Sequence, residues 1–547
     1  MRSSSSLAFS LLITLVLATS ACGPSRRGGI RGTRDGGPGG RDGGGLPCSG
    51  VDTDGNGIAD SFDGPGLNNP DDDADGIPDT VERGPGDLCH PLDSDNDGMF
   101  DFQDPDSDND GVLDVDEVAA GTNPTVADSD GDGFTDLVER ASGTNPLDAT
   151  SHGDETRDFF VVLPYMGDHV PRPLRFGTNI SKADVYFLID TTGSMQGAID
   201  DVNTSLRSIT TAVAGLVRDA QFGVGRFDDF PTSGYGDSSG YGGRPDVPYA
   251  HLVDITADLG VVNGALSLVA NAGADWAESD TAAVYLTATG TSMTYSNDAV
   301  GTGFIPPKAC PSIPDEIGVR RGYPCFRPGA LPIVVLVTDS PWHNGSDPTF
   351  DYSGITGPVS FTQATTAMND LGARFIGANV GGGTEAGLDM DAMARATGSV
   401  RSDGTTLVYT GAASTTADQI IAGITSLVGG TPQDVSTRTE NVAGNPDGFD
   451  ATQFIKAITP FEGYGPGGES GPSPGVTYTR KDETTFYQVI PGVQVDFTID
   501  FWNDVRPTPT VTEIHQARII VVGNGVADLD FRNVYIVVPP EGGVILL

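Results

Sequence analysis

Between Asp52 and Glu139 one twelve-residue pattern recurs five times. It places an acidic residue or Asn at positions 1, 3 and 5, Gly at 6, an apolar residue at 7, Asp at 9 and Asp or Glu at 12. The first copy offers Asp52, Asp54, Asn56, Asp60 and Asp63, and the second Asp71, Asp73, Asp75, Asp79 and Glu82. The third offers Asp93, Asp95, Asp97, Asp101 and Asp104, and the fourth Asp106, Asp108, Asp110, Asp114 and Glu117. The fifth offers Asp128, Asp130, Asp132, Asp136 and Glu139. Calcium takes six to eight oxygens at about 2.3–2.6 Å, and a tight turn can converge side chains at 1, 3 and 5 on one point. Glycine at 6 supplies a left-handed corner, the carbonyl at 7 turns inward and the acid at 12 closes the far side.

Charge supports cation binding. Residues 51–155 hold thirty acids against two bases, Arg83 and Arg140, a net −28 within a chain total of −45. Unneutralised, such a segment repels itself and has little apolar surface with which to offset its ordering entropy. The third and fourth copies begin only thirteen residues apart, too close for the flanking helices of an EF-hand. With GTNP at Gly121–Pro124 and Gly143–Pro146, the region 47–155 resembles thrombospondin type-3 repeats. The resemblance implies several Ca²⁺ ions in place of an apolar core, hence a segment compact with calcium and extended without it.

From about Lys182 the composition becomes that of an ordinary globular domain. Asp184–Ile189 reads as a buried strand, with the polar run Asp190-Thr-Thr-Gly-Ser194 at its end. Met195, Ile199, Val202, Leu206, Ile209, Val213 and Leu216 then mark one face of a helix. Further strands are expected at 221–227, 332–337 and 374–378, and helices at 261–270, 281–288 and 417–427. The economical architecture is an α/β doubly wound parallel sheet with its ligand crevice at the strand C-termini.

Asp190-x-Thr192-x-Ser194, with Asp339 after a later strand, resembles the metal-ion-dependent adhesion site of von Willebrand factor type A domains. GVGRFDDFP at Gly223–Pro231 and VTDSPWHNG at Val337–Gly345 are similar to the integrin-β-like subgroup. The resemblance covers roughly residues 180–430. It implies Mg²⁺ (or Mn²⁺) held by Asp190, Thr192 and Ser194, with Asp339 acting through water. For the third loop the subgroup pattern points to Glu278, whereas the commoner pattern uses Thr281. Few charged ligands would leave the ion electrophilic toward a carboxylate on a partner protein. The insertion at 290–330 carries Lys308, Arg320, Arg321 and Arg327, and reads equally as a partner-selecting loop or a disulfide-stapled excursion.

The remaining segments are an address, a tether and a β module. Arg2, the apolar run Leu7 to Ala18 and Thr19-Ser20-Ala21-Cys22 resemble a lipoprotein signal peptide and lipobox over residues 1–22, with Thr19 where Leu is usual. Lipidation at Cys22 would be the membrane attachment, placing the protein at the outer membrane or cell surface. Residues 23–46 read as a Gly-rich flexible tether. The other cysteines are expected to pair as Cys48–Cys89 and Cys310–Cys325, each closing a loop within one segment. Period-two alternation at Val493–Phe501, with runs at 517–522 and 534–538, suggests an antiparallel β-sandwich over 431–547, resembling an immunoglobulin-like module.

The acidic balance excludes a nucleic-acid binder working through a basic face. Six scattered histidines show no i, i+4 metal pair, and no Gly-x-Ser-x-Gly elbow occurs, so an enzyme is not expected. His343, near Asp339, is the one histidine able to approach the crevice, and its expected role is loop decoration. The expected function is divalent-cation-dependent adhesion on a calcium-stiffened stalk; the alternative is a calcium-dependent structural component of the envelope or matrix.

Overall fold

The structure is a computed structural model. It describes residues 48, 50–53, 55–63, 70–85, 88–152, 157–239, 244–271, 273–299, 301–314, 316–381, 383–465, 477–540 and 545. Cys22, the apolar run before it, the 23–46 tether and Asp54 lie outside these residues. Among the described residues, no helix is long and apolar enough to cross a membrane. The chain divides into two compact units, one ending at Ala74 and resuming over Pro78–Gln103, the other made of Asp75–Ile77 and everything from Asp104.

The first unit has little regular structure, as its few apolar residues require. It contains the single turns α1 (Asp60–Asp63) and α2 (Asp79–Glu82), a small buried set of Ile58, Ala59 and Phe102, and the expected disulfide Cys48–Cys89. In the second unit, α3 (Asp114–Ala120) and α4 (Asp136–Ser142) begin at position 9 of the fourth and fifth repeats. Both end at a left-handed glycine, Gly121 or Gly143 of the GTNP motifs. Short helices therefore start inside the acidic loops rather than flanking them. Val112 and Leu137 from these repeats pack with Val537 near the C-terminus.

The strands β1 (Asp158–Val162) and β2 (Val170–Gly177) precede the α/β domain. That domain comprises β3 (Lys182–Asp190), α5 (Gln196–Ala214), β4 (Asp219–Phe227), β5 (Ala250–Thr256), α6 (Leu259–Ala265) and α7 (Asp280–Thr289). A hairpin of β6 (Met293–Asn297) and β7 (Gly301–Ile305) follows. The domain closes with β8 (Leu331–Thr338), α8 (Phe361–Leu371), β9 (Arg374–Val380), α9 (Thr384–Ala396), β10 (Val408–Gly411) and α10 (Thr416–Gly430).

The sheet order is β10-β9-β8-β3-β4-β5. It is mixed rather than wholly parallel, because β5 runs antiparallel to β4. The described residues of the 228–249 connection contain no helix, and the chain returns beside the strand it left. Val185, Phe187 and Ile189 of β3 join Val202 and Ile209 of α5 and Ile420 and Ile424 of α10 in one apolar cluster. Tyr186 and Leu188 join Ala283 of α7, Met368 of α8 and Met393 of α9 in another. Helices therefore cover both faces of the sheet. Two sequence expectations are corrected: α5 ends before Leu216, which is exposed while Val217 is buried, and α6 stops at Ala265 rather than 270.

The insertion carries the second disulfide, Cys310–Cys325. Its Arg327 is buried, donating to Asp184 Oδ1 at 2.7 Å and to Asp219 Oδ1 at 2.8 Å at the starts of β3 and β4. Lys308 grips Asp254 of β5 at 2.6 Å. These two cations hold the insertion to the sheet.

The C-terminal strands are β11 (Gln433–Asn441), β12 (Ile455–Tyr464), β13 (Arg480–Lys481), β14 (Phe486–Val489), β15 (Gln494–Phe501), β16 (Glu513–Gly523) and β17 (Ala527–Val538). One sheet has the order β1-β17-β16-β11-β14-β13, and a second β12-β15-β2. β1 lies parallel to β17, so this curled sheet is mixed, not the wholly antiparallel one expected. β2 pairs with β15 from Gly177↔Gln494 to Val170↔Phe501. Residues on both sides of the α/β domain thus build the same two sheets.

Candidate metal centres

The acidic turns share one hydrogen-bonding scheme. In the fifth repeat, Asp128 accepts the amides of Gly131 (2.7 Å) and Gly133 (2.8 Å), Asp130 that of Asp132 (3.2 Å), and Asp132 that of Phe134 (2.9 Å). The position-6 glycines adopt φ between +89° at Gly57 and +104° at Gly133, which L side chains rarely tolerate. Within the third and fourth repeats, oxygens of Asp93, Asp95 and Asp97, and of Asp106, Asp108 and Asp110, lie within 4.8 Å of one another.

Position 9 has a second role. Asp114 accepts the amide of Ser107 at 2.9 Å and its hydroxyl at 2.6 Å, and Asp60, Asp101 and Asp136 make the same double clasp to position 2. Asp79 takes only the amide of Asp72, at 2.8 Å. Replacing Ser107 by Ala leaves a buried carboxylate oxygen without its donor, and we expect the calcium-loaded fourth repeat to lose about 1–3 kcal/mol. Site-resolved hydrogen exchange at residues 106–117 measures that loss.

Several acids have no such partner. Both oxygens of the fully buried Glu117 and Glu139 lack a hydrogen-bond donor, as do Oδ2 of Asp108 and Oδ2 of Asp132. Burial, then neighbouring carboxylates, raise Glu117 to about 9 and Asp108 to about 8. Asp106 reaches about 8 and Asp110 about 6, with burial the largest cause for each. Hard oxygen donors gathered in buried turns, with Arg140 the one cation acting among the causes for Asp106, Asp108, Asp110 and Glu117, fit a calcium ion.

At the C-terminal end of β3, Asp190 is fully buried. Its Oδ1 accepts the amide of Thr192 (2.8 Å) and its hydroxyl (2.7 Å), while Oδ2 accepts Thr338 Oγ1 at the end of β8 (2.7 Å). Ser194, exposed at the tip, donates to Asp339 Oδ1 at 3.0 Å. Loop three is fastened beside them: Glu278 donates its amide to Pro341 (3.0 Å) and accepts that of His343 at its carbonyl (2.8 Å). A Cβ placed on Gly273 would sit 3.2 Å from Glu278 Oε1 and 3.9 Å from Thr192 Cβ, which sets the Glu278 carboxylate against the first loop. The tip therefore gathers Asp190, Thr192, Ser194, Glu278 and Asp339.

Glu278 is 3% exposed and its Oε2 has no hydrogen-bond partner, whereas Thr281 Oγ1 donates to Asn344 O at 3.2 Å. Burial first, then Asp190, Asp229 and Asp280, raise Glu278 well above the usual carboxylate range. Asp190 is raised to about 7, mainly by burial. These all-oxygen donors, two of them buried carboxylates, fit a hard divalent cation such as Mg²⁺.

Two features escaped the sequence reading. Asp280, at the first position of α7, is fully buried with neither oxygen hydrogen-bonded, and burial followed by Asp190 raises it strongly. The sequence expectation began that helix at 281 and gave Asp280 no role. His343 is not loop decoration. Its Nε2 lies 3.1 Å from Asp275 Oδ2 and 3.5 Å from Asp229 Oδ2, and these three residues form a cluster able to hold a metal ion. Burial pushes His343 down, but the Asp275 hydrogen bond and the Asp229 charge outweigh it and hold the ring above its ordinary value.

Fold and sites together define a multidomain protein with a thrombospondin type-3-like repeat segment and a von Willebrand A-like domain. The family model described as bacterial TSP3 repeat matches residues 106–127 and 128–149. The model described as integrin beta-like protein A-E, vWA-like, matches residues 166–241. Among curated proteins none matches. Similar solved structures include a von Willebrand factor type A protein from Catenulispora acidiphila, 13% identical, covering 70% of this chain and 72% of that one, with a TM-score of 0.29. The open pilus adhesin SpaC from Lactobacillus rhamnosus GG is 12% identical, covering 68% of this chain and 45% of its own, with a TM-score of 0.28. Proximal thread matrix protein 1 from the mussel byssus is 13% identical, covering 46% of this chain and 48% of its own, with a TM-score of 0.26. The chain spans less than half the length of these last two.

Proposed function

We propose that this is an exported, non-enzymatic surface protein, lipidated at Cys22, that binds a partner protein's carboxylate through Mg²⁺ (or Mn²⁺) at the tip of its A-type domain. The observation that carries this reading is the buried Glu278 oxygen left without a donor beside Asp190, with Ser194 exposed and Asp339 half-buried at the rim. A bound Mg²⁺ supplies an electrophile with exchangeable water positions. The chain's own groups do the rest. Asp190 aims the Thr192 hydroxyl, Thr338 fixes the second Asp190 oxygen, and Asp339 and Ser194 hold each other at the rim. The repeats, stiffened by Ca²⁺, serve as the stalk that presents this domain from an outer-membrane anchor.

The test is affinity capture from the native host's envelope with the full-length exported chain. Partners should be retained in Mg²⁺, released by chelator, and absent with Asp190→Ala. Equal retention by Asp190→Ala would favour a purely structural, calcium-dependent component and overturn the adhesion reading.

A further inference from the structure

The loop between β4 and β5 delivers Arg244 to the underside of the metal tip. The Arg244 side chain is 29% exposed, and the Asp228 it grips is fully buried. Arg244 Nη2 donates to Asp228 Oδ1 (2.8 Å) and to Thr191 Oγ1 (3.0 Å), while Nη1 pairs with Asp228 Oδ2. Thr191 is the residue between Asp190 and Thr192, and its hydroxyl donates in turn to Asp228 Oδ1 at 2.6 Å. The Arg244 carbonyl accepts Asn271 Nδ2 at 2.8 Å, and the Asn271 amide donates to Thr191 O at 2.7 Å. On the other side, the Asp228 carbonyl accepts the hydroxyl of Ser279 (2.8 Å) and its amide (3.2 Å), and Ser279 follows Glu278 directly.

One guanidinium thus fastens the first metal loop, the end of β4 and, through the Asp228 main chain, the loop carrying Glu278. Arg226 pairs with the same Asp228 Oδ2 at 2.8 Å but has no bond to Thr191. We propose that Arg244 is a positioning residue for the metal centre, setting the spacing between the Asp190–Ser194 loop and Glu278 without touching the ion. This inference rests on the Mg²⁺ reading given above.

Charge and position predict opposite results. Removing a cation from around a dication should tighten binding, and should do so for either arginine. Losing the strap lets the two loops drift apart, and only Arg244 reaches Thr191. The experiment is Mg²⁺ titration calorimetry on the full exported chain, taking the heat absent from Asp190→Ala as the site's signal. Arg244→Gln should weaken Mg²⁺ about tenfold or more, in the range set by outer-sphere partners of metal ligands, and Arg226→Gln should stay within about twofold. Thr191→Val changes no charge and should also weaken Mg²⁺ several-fold, which decides the matter if Arg244→Gln does not fold. Wild-type or tighter affinity in the folded Arg244→Gln variant, or in Thr191→Val where it does not fold, overturns the strap, as does an equal loss in Arg226→Gln. Wild type titrating identically to Asp190→Ala overturns the metal reading itself, and the strap with it.

Discussion

In chelator at pH 8, the acidic repeats of the intact chain lose amide protection at turns such as Gly111, Val112 and Phe134, and calcium restores it. Each of these amides donates to a metal-facing carboxylate, so the turn and the ion site form together. The pH dependence without cations has a definite sign. Asp106 and Asp108 at about 8 and Glu117 at about 9 hold protons in the compact form that the unfolded chain releases near its ordinary carboxylate values. A raised acid contributes stability that is fully present below the unfolded pKa and is lost as pH rises through the folded one. Metal-free repeats are therefore firmest at and below about pH 4 and loosen progressively to pH 9. Calcium replaces those protons, so its addition at pH 7 releases acid into an unbuffered solution, and protection then becomes insensitive to pH above 6. Hydrogen exchange and pH-stat titration read the two halves. Unchanged protection in chelator at pH 8, or no more than one calcium bound by equilibrium dialysis, would sink the claim.

Local pattern carried much of this architecture. The repeat spacing anticipated the positive-φ glycines at position 6, since only that backbone brings positions 1, 3 and 5 together. The run Asp184–Ile189, buried on both sides, announced β3, and Asp190 and Asp339 lie at neighbouring strand ends as expected. What stayed hidden depends on contacts distant in sequence. Asp158–Val162 is apolar enough to suggest a strand, but nothing local tells that its partner is β17. Pro171 and Pro173 disguise β2, which tolerates them because it lies at the edge of its sheet. At position 9 of the repeats the sequence pointed to a metal ligand and could not also show the clasp to position 2, because clasp and ligand ask for the same residue type. Arg244 and Asp228 sit in a loop whose composition gives no hint that three other loops meet there.

Glu278→Gln should weaken Mg²⁺ on the order of 100-fold, while Thr281→Val stays within a few-fold, because a unit charge 4 Å from a dication interacts by about 8 kcal/mol at an effective dielectric of 20, and desolvation and the displaced proton offset more than half of it. Thr281 is buried and its hydroxyl donates to Asn344 O. Glu278 has an unclaimed oxygen. The same substitution should stabilise the metal-free domain, since it removes one of the buried carboxylates that crowd Asp190, Asp229 and Asp280. Affinity and metal-free Tm then move in opposite directions, a pairing that a merely disruptive change cannot produce. Mg²⁺ must also displace protons from Asp190, raised to about 7, and from Glu278, so wild-type affinity climbs between pH 6 and 8. In Glu278→Gln that climb flattens, because one proton-bearing group is gone and Asp190 no longer faces its charge. A variant that keeps wild-type affinity and the full pH dependence would return the third-loop position to Thr281.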